Sequence, residues 1–99
     1  YKQKGINHSG EFETSIVLAY DETLVDPSYK EASGYPDNCT KYEDNGVMAT
    51  FHHMEAHTKN GVMGDATTAS KEKGLALVNA YADSITEALA DDVVWNTPV

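Results

Sequence analysis

Residues that could do chemistry sit together in one short stretch, Asn7-His8-Ser9-Gly10-Glu11-Phe12-Glu13-Thr14-Ser15. It joins an imidazole, a turn-forming Ser-Gly pair and two carboxylates. The apolar run Ile16-Val17-Leu18-Ala19-Tyr20 follows at once. Phe12, Ile16, Ala19 and Tyr20 fall at helical spacing, so the stretch reads as a turn entering a helix that ends near Tyr20-Asp21. Ser9 suits the N-cap, with Glu11 and Glu13 in the first turn. His8 then lies at the helix entrance, where it and a nearby Glu could share one metal or one water. An ordinary reading accounts for the same residues. Acidic groups in a first turn complement the helix dipole for about 0.3–1 kcal/mol, and a His before a helix is commonly a solvated loop residue. His-x4-Glu is not a specific ligand signature.

A second cluster is His52-His53-Met54-Glu55-Ala56-His57. On a helix, His53 and His57 would share a face at a known ligand spacing. No cap precedes them, and Lys59-Asn60-Gly61 breaks the pattern soon after. The cluster reads as a loop near the mouth of a site, and a metal-binding protein built on His52, His53 and His57 is a competing reading. Phosphate-binding glycine loops, Cys-x-x-Cys pairs and Gly-x-Ser-x-Gly elbows are absent from the sequence, so nucleophilic Ser or Cys catalysis has no supporting constellation.

The elements that must position these groups are unevenly distributed. Apolar residues gather in Phe12–Val25 and in Leu75–Trp95. Leu24-Val25 reads as a short apolar pair, Asp26-Pro27 as a turn, Ser28 to Ala32 as a helical turn and the segment from Ser33 to Asn38 as loop. Gly46 to Phe51 could be a short strand. Gly61-Val62-Met63-Gly64-Asp65 reads as a turn whose glycines permit positive φ, with Asp65 placed to cap a backbone amide. A long helix is expected from near Thr68 to about Leu89. Leu75, Val78, Tyr81, Ala82, Ile85 and Leu89 form its apolar stripe, expected to be a core face. Gly74 inside that helix costs about 1 kcal/mol relative to Ala, which implies close packing against it. The long apolar-poor middle counts against an independent compact domain.

Sixteen acidic residues oppose seven basic ones, for a formal charge of −9, and every basic residue is Lys. No basic patch exists to displace counterions from nucleic acid, and no guanidinium is present to clamp a carboxylate or phosphate. Such acidity reads first as a device for solubility, with a salt-adapted source as the lesser alternative. Cys39 is the single cysteine, so no disulfide forms within the chain and no oxidising compartment is implied. No apolar run reaches the length of a membrane span. The expected setting is cytoplasmic.

Two blocks carry a resemblance. His8-Ser9-Gly10-Glu11-Phe12-Glu13-Thr14-Ser15, followed by Leu18-Ala19 and Leu24-Val25, resembles the late motif of the creatininase family of metal-dependent amidohydrolases. There a His, two small residues and two variable positions precede Glu-Thr-Ser and an aliphatic helix. The segment from Gly61 to Gly74 is similar to the family's C-terminal Gly-Val-x-Gly-Asp-Pro-x-x-Ala-x-x-x-Lys-Gly segment, with Ala66 where many members carry Pro. The family's early Glu-x-His…Asp motif and its Gly-His-x-x-Asn segment are missing. Glu55-Ala56-His57 with Asp65 imitates the former, but in the wrong part of the chain, and reads as coincidence.

The resemblance implies an α/β fold, of which this chain is the C-terminal portion of a three-layer α/β/α arrangement, with residues 1–99 a single partial domain completed by another polypeptide. It implies two divalent metal ions (Zn, Mn or Fe) and hydrolysis of a C–N bond in a small linear or cyclic amide. By resemblance Glu13 is a metal ligand and His8 the general acid/base. Glu11 lies about 200° around the helix from Glu13, so it is assigned to solvent or to a salt link. A second polypeptide is expected to carry the remaining metal ligands, within a higher oligomer, either as a separate product or as the other piece of a cleaved precursor. A non-catalytic acidic subunit of the same fold is the alternative.

Overall fold

In the computed structural model, the described residues are 8–34, 53, 55 and 58–96. They are mostly helical, with one short strand pair. Helix α1 spans Glu11–Asp21 and is followed by two 3₁₀ turns, Glu22–Leu24 and Pro27–Glu31. Strand β1 is Ser33–Gly34 and β2 is Gly64–Asp65, and a third 3₁₀ turn covers Ala66–Thr68. Helix α2 spans Lys71–Ala90, and the short helix α3 spans Asp92–Trp95.

Each boundary has a local cause. Asp21 and Asp26 start the first two 3₁₀ turns by accepting from the amides of Thr23 and Ser28, both at 2.9 Å. Asp65 accepts from the Thr67 amide at 3.1 Å, the capping role its position in the sequence suggests. Ser70 caps α2 by accepting from the Lys73 amide at 3.2 Å. The long helix therefore starts at Lys71 rather than near Thr68, because the Asp65 cap closes a separate turn first. Asp91 caps α3 by accepting from the Val93 amide at 2.8 Å. In the tail, Trp95 donates its indole N–H to the Leu89 carbonyl at 2.7 Å.

The strand pair departs from the sequence reading. Ser33 and Gly34, expected in a loop, pair antiparallel with Asp65 and Gly64. Gly61 and Gly64 take positive φ, 83° and 150°, as the turn reading of this segment requires. A layered sheet, which a three-layer α/β/α arrangement needs, is not among the described residues. The Gly46 to Phe51 strand expectation lies outside them.

The two long helices meet at one tight crossing. A Cβ on Gly74 would stand 1.8 Å from the Ser15 carbonyl oxygen and 2.7 Å from the Ala19 Cβ. The absence of a side chain at Gly74 is what lets α2 lie on the backbone of α1. Ser15 is fully buried there; its hydroxyl donates to the Glu11 carbonyl and accepts from the Ser70 amide at 3.1 Å. Phe12 meets Tyr81 edge to face, with ring centroids 6.0 Å apart.

Among the described residues only Leu18 and Ala66 are buried apolar side chains. The α2 stripe is not a core face of this chain. Leu75, Val78, Tyr81, Ile85 and Leu89 are all exposed, with Ile85 at 57%. The crossing is made through Gly74, at the start of α2, so the later turns of α2 run on with little packed against them. No helix among the described residues is long and apolar enough to cross a membrane.

Candidate active site

The structure joins the two sequence blocks through their backbones. The His8 amide donates to the Met63 carbonyl at 3.0 Å, and the Met63 amide donates back to the His8 carbonyl at 2.8 Å. The helix entrance is thereby tied to the glycine turn of residues 61–65. Nothing in the spacing of either block revealed this pairing, which spans more than fifty positions.

Between His8 and α1 the chain turns sharply. Ser9 has φ of 53°, a left-handed conformation uncommon for a residue with a side chain. The N-cap is Gly10, without a side-chain cap, and not Ser9 as the sequence suggested. Glu13 and Thr14 take over the task. The Ser9 amide donates to Glu13 Oε2, and the Thr14 hydroxyl donates to the Ser9 carbonyl at 3.2 Å. Only the carboxylate-to-amide half of a capping box is present, shifted one residue outward. It holds Ser9 in its strained conformation and tethers one oxygen of the Glu13 carboxylate beside the His8 backbone.

Glu11 and Glu13 have opposite fates, as the helical rotation between them demands. Glu11 is 1% exposed and faces α2, where Lys73 Nζ donates to its Oε1 at 2.5 Å. Lys73 also donates to the Thr68 carbonyl at 2.6 Å. Of the two fates the sequence left open for Glu11, the structure takes the salt link and not solvent. Glu13 is exposed and faces the other way.

His8 and Glu13 line one open cleft of about 700 Å³. Thr14, Val17, Leu24, Val25 and Tyr29 also line it, with Asn60, Gly61 and Val62 from the glycine turn. Asp26 and Glu31 add negative charge to its rim. The Ser28 amide and hydroxyl beside Asp26 hold its carboxyl below the ordinary carboxylate range.

An exposed imidazole and an exposed carboxylate are suitable donors for zinc or manganese. Catalytic zinc sites use three protein ligands. Among the described residues no group of three or more His, Cys, Asp or Glu side chains comes together. The pair has the donor chemistry for a divalent ion but does not by itself make a three-ligand set. His53 is exposed, and His52 and His57 lie outside the described residues. Asp65 accepts from the Thr67 amide and hydroxyl; the Glu55-Ala56-His57…Asp65 pattern includes His57, which lies outside the described residues.

Sequence reasoning missed Lys73 and Ser15 as partners of the helix start. The available signal was Gly74 beside Lys73, since a helix-interior Gly marks where another backbone approaches.

The family described as "Creatininase: Creatinine amidohydrolase" matches residues 1–89. The comparisons return no match to a curated protein or to a solved structure. With nearly the whole chain matched, the protein belongs to the creatininase family. Membership implies metal-dependent amidohydrolase-type chemistry and a divalent metal such as zinc.

Proposed function

We propose that this member of the creatininase family is the C-terminal part of a metal-dependent amidohydrolase that cleaves a C–N bond in a small linear or cyclic amide. One observation carries the reading: His8 and Glu13 open onto the same cleft from the two sides of the Ser9-Gly10 turn. Glu13 acts as a metal ligand through the carboxylate that the Ser9 amide orients. His8 acts as general acid/base.

Divalent ions held there through Glu13, zinc, manganese or iron, would supply Lewis-acid polarisation of the amide carbonyl and a more acidic attacking water. His8 would take a proton from the attacking water and return it to the leaving nitrogen, a task suited to an imidazole. Val17, Leu24, Val25 and Tyr29 offer the substrate an apolar wall beside these two groups.

The remaining metal ligands come from a second polypeptide, which also supplies the sheet of a three-layer α/β/α fold and covers the α2 stripe. The half-exposure of Leu75, Val78, Tyr81, Ile85 and Leu89 supports this, since each aliphatic side chain among them forgoes roughly half of the about 1.5–3 kcal/mol that full burial contributes. The donor shortfall at His8 and Glu13 supports it independently.

The test is Glu13→Gln in the native assembly. Activity should be abolished and one metal weakened, with folding retained, because the change removes a charged ligand and keeps its shape. Normal metal content with full turnover would defeat the ligand assignment. The mass composition of the native particle tests the second polypeptide, and a stable, active, metal-loaded monomer of residues 1–99 would defeat it.

A further inference from the structure

We propose that the Glu11–Lys73 ion pair is a positioning device that aims Glu13 at its metal. The inference rests on the reading of Glu13 as a ligand. It adds two residues that touch neither metal nor substrate.

The argument is one of rotation and register. Glu11 and Glu13 stand about 200° apart around α1. Whatever draws Glu11 inward therefore turns Glu13 outward, to the cleft. Lys73 draws Glu11 inward, and it is itself anchored to the Thr68 carbonyl. Rotation of α1 is thus set by a charge on α2 and by the turn that precedes α2.

A second tie sets register along the helix axis. The Ser15 hydroxyl accepts from the Ser70 amide at 3.1 Å, one turn beyond Glu11. The far side is closed by the two hydrogen bonds between His8 and Met63. From Met63 the chain runs through the β2 pairing and the Asp65 cap to Thr68 and Ser70. His8, the start of α1 and the segment from 63 to 70 form a closed ring, and the Glu11–Lys73 pair is its only contact between two charged side chains among the described residues.

A purely structural role would be replaceable by apolar packing. Substituting both members of a buried ion pair with well-packed hydrophobic residues is often neutral for folding or stabilising, whereas removing one member is strongly destabilising. The variant Glu11→Leu/Lys73→Met uses this difference. It removes the charges together and, with them, the directional hydrogen bonds that fix position 11 at one point on α2; apolar packing keeps that side chain inward without fixing its angle. Loss of an outer partner of a ligand typically weakens metal binding by about 10–100-fold.

The experiment is a competitive chelator titration of Zn²⁺, repeated with Mn²⁺, on the metal-stripped native assembly. Thermal unfolding of each variant is recorded in parallel. The double variant should unfold near the wild-type temperature and bind the ion about 10–100-fold more weakly. Glu11→Gln keeps the Lys73 hydrogen bond without the charge and should retain affinity close to wild type. An equal loss in Glu11→Gln would overturn positioning in favour of a simple charge effect. Wild-type affinity in a folded double variant would overturn the inference outright.

Ser15→Ala cuts the second tie and keeps both charges. It should weaken affinity in the same direction, and it decides the matter if the double variant does not fold: unchanged affinity there overturns the inference. Glu13→Gln runs beside them. If it binds metal as wild type does, the ligand reading has failed. If it loses affinity while the double variant and Ser15→Ala do not, only the positioning inference has failed.

Discussion

Replacing Gly74 with Ala should destabilise the protein, against the usual helix preference. In an open helix this change gains about 1 kcal/mol. Here the new methyl would stand 1.8 Å from the Ser15 carbonyl oxygen, 2.5 Å from its carbon and 2.7 Å from the Ala19 Cβ. Relaxed contacts need about 3.5 Å, so α1 must retreat by roughly 1.5 Å. The obstacle is helix backbone rather than the end of a flexible side chain. The cost therefore belongs at or above the upper end of the about 1–3 kcal/mol typical of overpacking. Set against the propensity gain, the net loss is about 2 kcal/mol. The retreat also stretches the Ser70–Ser15 bond and the Lys73–Glu11 pair, so metal affinity should fall as well. Chemical denaturation of the native assembly at fixed protein concentration measures the first effect. Ala80→Gly, at an exposed position of the same helix, is the control and should cost about 1 kcal/mol. The two sites should thus show opposite preferences between Gly and Ala. If Gly74→Ala instead stabilises by about 1 kcal/mol, the close crossing is wrong.

His8→Ala should lower turnover by about 10²–10⁴-fold with metals still bound, the usual size of a lost general acid/base; concurrent loss of metal would make His8 a ligand instead. Lys73→Met alone should destabilise the protein, because it removes the ammonium that pairs with the buried Glu11 carboxylate, and a denaturation midpoint close to wild type would show that the pair contributes little. Asp21 and Asp26 should contribute to acid lability. The Thr23 hydroxyl and amide lower the Asp21 pKa, and the Ser28 amide and hydroxyl lower that of Asp26. A depressed folded-state pKa gives stability that is full above the unfolded value and lost as pH falls through the folded one. The midpoint difference between wild type and Asp26→Asn should therefore hold steady above about pH 4 and shrink below it. A difference that stays constant down to about pH 2 would contradict the sign.

Local chemistry was legible in the chain itself. The helix from the Ser9-Gly10 turn to Asp21, the helical turn before Ala32, the Asp65 cap and the positive φ of Gly61 and Gly64 each depend on a few neighbouring residues. Side chains there compete for backbone groups one to four positions away, and sequence spacing reports that competition directly. Gly74 signalled a close approach, but only the structure identified Ser15 and Ala19 as what approaches. The motif residues likewise marked the region of the site without marking its assembly.

What tertiary structure alone decided is long-range. The pairing of Ser33-Gly34 with Gly64-Asp65, the His8–Met63 bridge and the Lys73–Glu11 pair join residues 30 to 62 positions apart. No local preference encodes them, because each depends on where two separately formed elements come to rest. The N-cap moved from Ser9 to Gly10 for the same reason: pairing of His8 with Met63 holds the chain where Ser9 must turn with positive φ. The α2 stripe shows the converse. Its periodicity established that one face is apolar, but periodicity describes a single helix and says nothing of what lies against it. Whether such a face is covered depends on the surfaces that surround it, and among the described residues α1 meets α2 at Gly74 and, through Phe12, at Tyr81, leaving the stripe side chains about half exposed.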